Sequence, residues 1–428
     1  MRQTQRRRAG TALLASMAAL LAAGAAACSS GGGSSSTASA GSAASGSQTI
    51  VFAESGLGTE GQQTQVAINN FEKLNPNIKV DVQVLSSNST TYLSQLEHDF
   101  IAGSSTPDVF ESDVTYPAKF AQAGWDLPLT QFHVNTSQFF LTEVAAGTYN
   151  GTLYGVPWVD NPEGLFYRTD LIKKPPTSPA QVVSDALAAM KKDKSLKEGL
   201  AFEGEKYEGA ITAFMTVDGA FGGHLTATSI NTPANVAALK WLHDAIYVSK
   251  IAPQAVTGWQ EGNVQEEFTA GHAAFAINYP FVASVDATTK SSPAYGHTGY
   301  IPFPAGPGGR PGSALGGEML VINAKSANVA ADWKLIQYLT SPSVEIARAE
   351  ATGDPPSLPS AYTSALYAKA PYFKEVKILN GYAQPRPVSP NYLQISSDLQ
   401  DAFSAVFANS TSPASAMSSA ASQIKALG

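Results

Sequence analysis

Apolar positions along the chain change their period several times, and each change predicts an element. Ile50-Val51-Phe52-Ala53 is a short apolar run, read as a strand over 49–53. Val66, Phe71 and Leu74 follow at helical spacing and predict a helix over 60–74, stopped by Asn75-Pro76. Ile78, Val80, Val82 and Val84 then alternate with polar residues, the pattern of a half-buried strand over 78–85. A helix over 90–102, a break at Pro107 and a short strand at 108–111 complete a β-α-β-α-β run. That order predicts a parallel sheet with right-handed crossovers.

The rest of the chain continues in the same mixed style. Thr177 or Ser178 caps a helix with Pro179 in its first turn, and Thr232-Pro233 opens another that runs to about Ser249. Residues 273–277 and 319–323 read as strands, 329–340 as a helix, and 393–426 as two helices. Residues 302–312, PFPAGPGGRPG, form a Pro/Gly-rich connector. No repeat of solenoid length is present.

The N-terminal pattern is of another kind. Arg2, Arg6, Arg7 and Arg8 precede a small and apolar run that ends at Ala27, the pattern of a secretory signal peptide. A membrane-spanning helix is the competing reading; it fits poorly because the run is Ala-rich and lacks interfacial aromatics. Cys28 is the only cysteine, which excludes an intramolecular disulfide and a CxxC site. Its place after Ala25-Ala26-Ala27 resembles a bacterial lipobox, with Ala25 where Leu is usual; an incidental cysteine is the alternative. Lipidation of Cys28 would give two acyl chains, enough for stable anchoring. Residues 29–47, almost all Ser, Gly and Ala, cannot build a core and read as a flexible tether reaching on the order of 25 Å.

Charge narrows the partners. Four of the 27 Lys and Arg residues lie before Ala27, so the mature chain keeps 23 against 34 acidic residues. No basic stripe for nucleic acid remains. Length after the tether is ample for two domains.

Gly56-x-Gly58-x-x-Gly61, between the first strand and the first helix, matches the spacing of a dinucleotide fingerprint. That fold needs an acidic residue at the end of the second strand. Asp81 lies inside the strand on its polar side, so the glycines are read as a tight strand-to-helix turn and no cofactor is expected.

Five stretches in order carry a family resemblance: PDVFESDVTYPAKFAQAGWDLPL (107–129), LYGVPWVDNPEGLFYRTDL (153–171), FTAGHAAFAINYPF (268–281), LGGEMLVINAKS (315–326) and PRPVSPNY (385–392). The chain resembles the extracellular sugar-binding proteins of ABC importers, the maltose-binding-protein superfamily (solute-binding protein family 1). EGEKYEGAITAFMTVDGAFGGHL (203–225) makes the likeness greatest to its trehalose- and trehalose/maltose-binding lipoproteins. The resemblance covers nearly all of 48–428. It implies an α/β, two-lobed periplasmic-binding-protein-like fold (type II) with the ligand in the cleft. Lobe 1 would be 48–157 with 303–350, and lobe 2 would be 158–302 with 351–428. The connector at 302–312 would then be a hinge region. It further implies a monomer, no catalysis, a disaccharide ligand and ABC permease subunits as partners at the outer face of the membrane.

A disaccharide offers many hydroxyls, and burying one unpaired costs ~1–3 kcal/mol. Carboxylates, amides, a guanidinium and flat aromatic faces are therefore the residues to seek. The resemblance places Asp113, at the end of a strand, among the ligand contacts; capping the next helix is its bland alternative. It places Asn161 there too, with Asp160 as the substitute if the loop shifts by one. Tyr207 and Glu208 stand at a helix start, where Glu also suits the helix dipole. Glu261 precedes a helix over 263–271. Tyr279 stands where the family often has Trp, as a stacking platform. Gly316 and Gly317 permit close backbone approach, or mark a bulge. Glu318 stands where part of the subgroup has an aromatic residue. Arg386 matches a ligand-contacting Arg, with a salt bridge between lobes as its alternative. Glu60, in the glycine loop, matches a sugar-contacting acid.

Two other functions compete. A secreted glycoside hydrolase would use paired carboxylates such as Asp113 and Glu261. GxSxG, HExxH and P-loop motifs are absent from the sequence. A binder of an oligosaccharide, polyol or peptide would share the fold.

Overall fold

The computed structural model describes residues 47–55, 60–86 and 89–427, without the side chains of residues 60, 89 and 90. The expected signal peptide, Cys28 and all but the last residue of the tether lie outside the described residues, as do residues 56–59 of the glycine loop.

The predicted β-α-β-α-β run forms the heart of a first sheet. Strand β1 (Gln48–Ser55) is followed by helix α1 (Glu60–Leu74), strand β2 (Ile78–Leu85), helix α2 (Ser89–Ile101) and strand β3 (Val109–Asp113). Both β2 and β3 lie parallel to β1. Strand β2 is an edge strand, with Val84 exposed and Asp81 facing solvent inside the strand. Strand β4 (Gly155–Pro162) and the long β9 (Ser313–Ile322) extend this sheet antiparallel, and β10 (Ala383–Gln384) closes its other end. Ile50, Phe52, Phe71, Trp158 and Leu320 pack on one face. Phe100, Phe110 and Phe120 pack on the other.

Glu163 alone separates β4 from β5 (Gly164–Arg168), which belongs to a second sheet. That sheet runs β8-β5-β7-β6, with β6 Glu198–Ala201, β7 Ala273–Asn278 and β8 Thr298–Ile301. Its helices include α3 (Glu208–Asp218), α4 (Glu261–Thr269) and the C-terminal α6 (Tyr392–Phe407); α5 (Pro342–Thr352) belongs to the first body. Phe202, Phe214, Phe275, Phe403 and Phe407 fill the core between sheet and helices. The expected caps form: Ser178 Oγ accepts from Gln181 N at 3.2 Å, and Thr232 Oγ1 from Asn235 N at 3.1 Å, each with Pro next.

Strand β9 and helix α4 start away from their expected positions. Strand β9 begins at Ser313, six residues before the apolar run, because Leu315, Gly316 and Gly317 pair with Pro162, Asn161 and Asp160. Helix α4 begins at Glu261, since Gln260 and Asn263 form a capping box around its start.

Three segments cross between the bodies, and they are tied together. Glu163 N donates to Ala314 O at 2.8 Å, and Ser313 Oγ to Glu163 O at 2.6 Å. Asp160 N donates to Pro355 O at 3.1 Å.

Candidate functional site

The crossing segments bring the ends of both sheets together. Asp113 ends β3, where α/β sheets present ligand-binding side chains. Its Oδ1 accepts from Thr115 N at 2.8 Å and Thr115 Oγ1 at 2.6 Å, closing an Asx turn. It caps no helix: the next one is preceded by Tyr116 without a side-chain cap.

Arg386 ties this strand to the second body. Its Nη2 donates to Asp113 Oδ1 at 3.2 Å, and its Nη1 to Glu208 Oε1 at 3.0 Å. Arg386 is only 6% exposed, and its Nε has no partner among the described residues. Glu208 is fully engaged: it also accepts from Tyr392 Oη and, at 2.6 Å, from Ser396 Oγ of α6. Asp113 Oδ2, by contrast, meets only Arg386 Nη2 among the described residues, at 3.4 Å, so lone pairs remain for a ligand hydroxyl.

Tyr279 stands at the end of β7. Asn278, fully buried, accepts from Tyr279 N at 2.7 Å and donates to Glu261 O at 3.0 Å, fixing both residues. The Tyr279 ring packs on Gly316, where a Cβ would stand 2.8 Å from its Cε1. Gly316 thus makes room for the ring. Gly317, at φ 119°, makes room for the ladder, since a Cβ there would lie 2.1 Å from Val159 O, next to the bulge at Glu318/Met319.

Asn161 sits opposite Gly316 on β4 and is half-buried. Asp160 is not interchangeable with it. Strand alternation turns Asp160 the other way, where it is fully buried and accepts from Asn380 Nδ2 and, at 3.4 Å, Tyr362 Oη. Tyr207 precedes α3, and its hydroxyl accepts from Glu261 N at 2.8 Å. Glu318 lies opposite Asp113 in the ladder and borders a small space with Glu54, Glu111, Arg348 and Asp354. Glu60 opens α1, and its side chain lies outside the described residues.

Beneath Tyr207 and Tyr279 lies a group that sequence reasoning missed. Glu163 and Glu203 are fully buried neighbours. Glu163 accepts from Thr216 Oγ1 at 2.5 Å and Thr212 Oγ1 at 3.5 Å. Burial pushes the Glu163 carboxyl up to about 8 and Glu261 up to about 7. Burial, then the Glu163 charge, pushes Glu203 up as well. The one available signal was an acidic residue in a stretch otherwise apolar through Tyr167. Among the described residues no cluster has the make-up of a metal site.

Two α/β bodies joined by tied crossing segments, with polar and aromatic residues gathered where they meet, define a two-lobed solute-binding fold. The chain belongs to the bacterial extracellular solute-binding protein family, whose model matches residues 55–346. It is 28% identical over 393 residues to a probable ABC transporter-binding protein of Deinococcus radiodurans, covering 88% of this chain and 93% of that one. It is similar to the solved structure of maltose-bound T. maritima MalE3, at 30% identity and a TM-score of 0.80, over 89% of this chain and all of that one. A solute-binding protein from Thermotoga lettingae bound to α-D-tagatose matches at 25% identity, with a TM-score of 0.77 and the same coverage. The members of this family bind solutes for ABC transporters outside the cytoplasm and are not enzymes. Among the described residues no helix is long and apolar enough to cross a membrane.

Proposed function

We propose that the chain binds a disaccharide, trehalose or maltose, in the crevice and delivers it to an ABC permease served by a cytoplasmic ATPase. The lobes are taken as 48–157 with 303–350 and 158–302 with 351–428. The chain works as a monomer, exported by its signal peptide and held at the outer face of the membrane through lipidated Cys28.

One observation carries this reading: Arg386 joins Asp113 of one lobe to Glu208 of the other at the mouth of the crossing segments. Asp113 and Asn161 take sugar hydroxyls. Arg386 reaches ring oxygens through N–H groups that Asp113 and Glu208 do not take. Tyr279 offers a C–H stacking face, Tyr207 and Glu261 close the far side, and Glu60 takes a further hydroxyl. Glu208 holds Arg386 in place. Gly316 and Gly317 act through Tyr279 and the ladder. Glu318 sets the character of the second ring's site. The maltose bound to the T. maritima relative supports a disaccharide, and the tagatose bound to the T. lettingae relative makes a monosaccharide the competing ligand.

The test is thermal melting of the protein with trehalose, maltose, sucrose, glucose and a maltodextrin. A ligand at ~100 times its Kd adds ~2.7 kcal/mol and raises the Tm by a few degrees. A shift with trehalose or maltose supports the reading. A shift with glucose alone moves the ligand to a monosaccharide, and no shift with any sugar overturns it.

A further inference from the structure

Glu163 and Glu203 make none of the contacts proposed for the sugar, yet both are buried beside residues that do. Their carboxyls are hydrogen-bonded to each other. Among the described residues no cation pairs with either. Arg386, whose charge reaches Glu163, gives its Nη1 to Glu208 and its Nη2 to Asp113. The other titratable groups that face the pair are Glu261, Tyr207, Tyr279 and Tyr300, and none of them brings positive charge. Two ionised carboxylates in contact at such a place would repel strongly, so the pair holds one proton between its oxygens.

The two acids are held unequally. Glu163 is fixed through its backbone, with its N–H on Ala314 O at 2.8 Å and its carbonyl accepting from Ser313 Oγ at 2.6 Å. Its Oε2 accepts from Thr216 Oγ1 at 2.5 Å, and Thr216 Oγ1 in turn accepts from Ala314 N at 3.1 Å. Glu203 lies in the loop after β6, and no hydroxyl or amide among the described residues holds its Oε1. Its Oε2 rests on the first turn of α3. A Cβ on Gly209 would stand 1.8 Å from that oxygen and 2.2 Å from the Tyr207 hydroxyl, so glycine there lets carboxyl and phenol sit side by side. Thr212, farther along α3, lies 3.5 Å from Glu163 Oε1 and is hydrogen-bonded to the Tyr279 hydroxyl. Tyr207 is thus supported beside Glu203, and Tyr279 is linked to Glu163 through Thr212.

We infer that Glu163 and Glu203 are positioning residues for the ligand, a proton-sharing carboxyl pair that sets where the Tyr207 and Tyr279 rings stand. This rests on the reading that those two rings touch the sugar. When the shared proton leaves, the two charges repel. Glu163 is held by its backbone, so Glu203 swings away and Tyr207 loses its support. The protonated pair is the form that binds, so affinity falls as pH rises through the ionisation of the pair.

Two measurements between about pH 6 and 9 test it. Nuclear magnetic resonance of the protein with ring-labelled tyrosine reads the rings without any sugar, the signals being assigned with Tyr207→Phe and Tyr279→Phe. Both signals should move along one titration curve in the wild type and stay still in Glu203→Gln. The Gln amide donates to Glu163 in place of the shared proton and cannot ionise. The curve should persist in Glu261→Gln, whose carboxyl lies outside the pair. Calorimetry with trehalose and maltose then reads affinity. The wild type should bind at least tenfold more weakly at the alkaline end, and Glu203→Gln should keep its acid-side affinity throughout. Glu203→Ala, which removes the support, should be at least tenfold weaker already at the acid end. Glu163→Gln gives the same flat profiles and serves if Glu203→Gln does not fold. Tyrosine signals that do not titrate, a curve unchanged in both Gln variants, or a curve lost in Glu261→Gln overturns the pair. So does an affinity with the same pH slope in the wild type and the Gln variants. Failure of the sugar reading looks different: no sugar binds at any pH while the tyrosine signals still titrate.

Discussion

Arg386 and Gly316 show what single residues do here. Arg386→Ala strips the partner from two carboxylates that face each other across the lobes, and Glu208 stays enclosed by Tyr392 and Ser396. Breaking a buried pair by removing one member costs about 3–5 kcal/mol; side chains of Asp113 and Glu208 are 28% and 30% exposed, so water screens part of this. The expected outcome is a loss of about 2 kcal/mol in urea unfolding, together with at least tenfold weaker sugar binding. Gly316→Ala acts in another way. The new Cβ would stand 2.8 Å from the Tyr279 ring and 2.9 Å from Asn161 O. The backbone oxygen is held in the ladder, so the ring moves. Calorimetry should then report weaker binding than the loss of stability alone explains. Strand alternation separates Asn161 from Asp160, but only once the strand's span is known, and the sequence pattern left that open. Glu163 and Glu203 were not legible, because a buried acid has no periodic signature; it is revealed only by what packs around it.

At the scale of elements, periodicity recovered what is local. Helix α1 and strand β2 have the predicted limits, because their caps and alternation lie within a few residues. Strand β9 was half missed, because its first residues are held by pairing with β4, more than 100 positions away in sequence. The Pro/Gly connector is the more instructive case. Its composition suggests freedom, yet Gly306 N donates to Ala220 O at 2.8 Å and Arg310 N to Gly219 O at 2.9 Å. A Cβ on Gly309 would lie 2.0 Å from Ala220 O. The connector is therefore fixed to the second lobe by close backbone approach, and its glycines serve that contact. Two measurements check this. Gly309→Ala should destabilise by about 1–3 kcal/mol, the usual cost of overpacking, read as a lower urea midpoint. Hydrogen exchange should show the amides of Gly306 and Arg310 protected as long as those of α3. If they exchange as fast as surface loops, the connector itself is the hinge.

At the scale of the molecule, the two lobes meet over buried acids, and this sets the response to pH. Glu163 is pushed up to about 8, Glu261 and Glu54 to about 7, each chiefly by burial. In the unfolded chain these groups return to about 4.5. A raised carboxyl holds its proton in the native state where the unfolded state has lost it. Its stabilising effect is complete below about pH 4.5 and declines as pH rises through the native value. Stability from this group should therefore fall between about pH 4.5 and 8, opposite to the trend set by salt-bridged carboxylates such as Asp170, whose pKa is held down beside Arg168. Urea midpoints across pH 4.5 to 8 are the measurement, with Glu163→Gln as the control. The amide keeps an acceptor for Thr216 and cannot ionise, so the variant should lose less stability across that range than the wild type. Equal slopes in the two proteins would mean that Glu163 is ionised in the native state despite its burial. Because Glu163 is the residue between the two sheets, ligand that changes its surroundings should move the pH dependence, and ligand that does not should leave it in place.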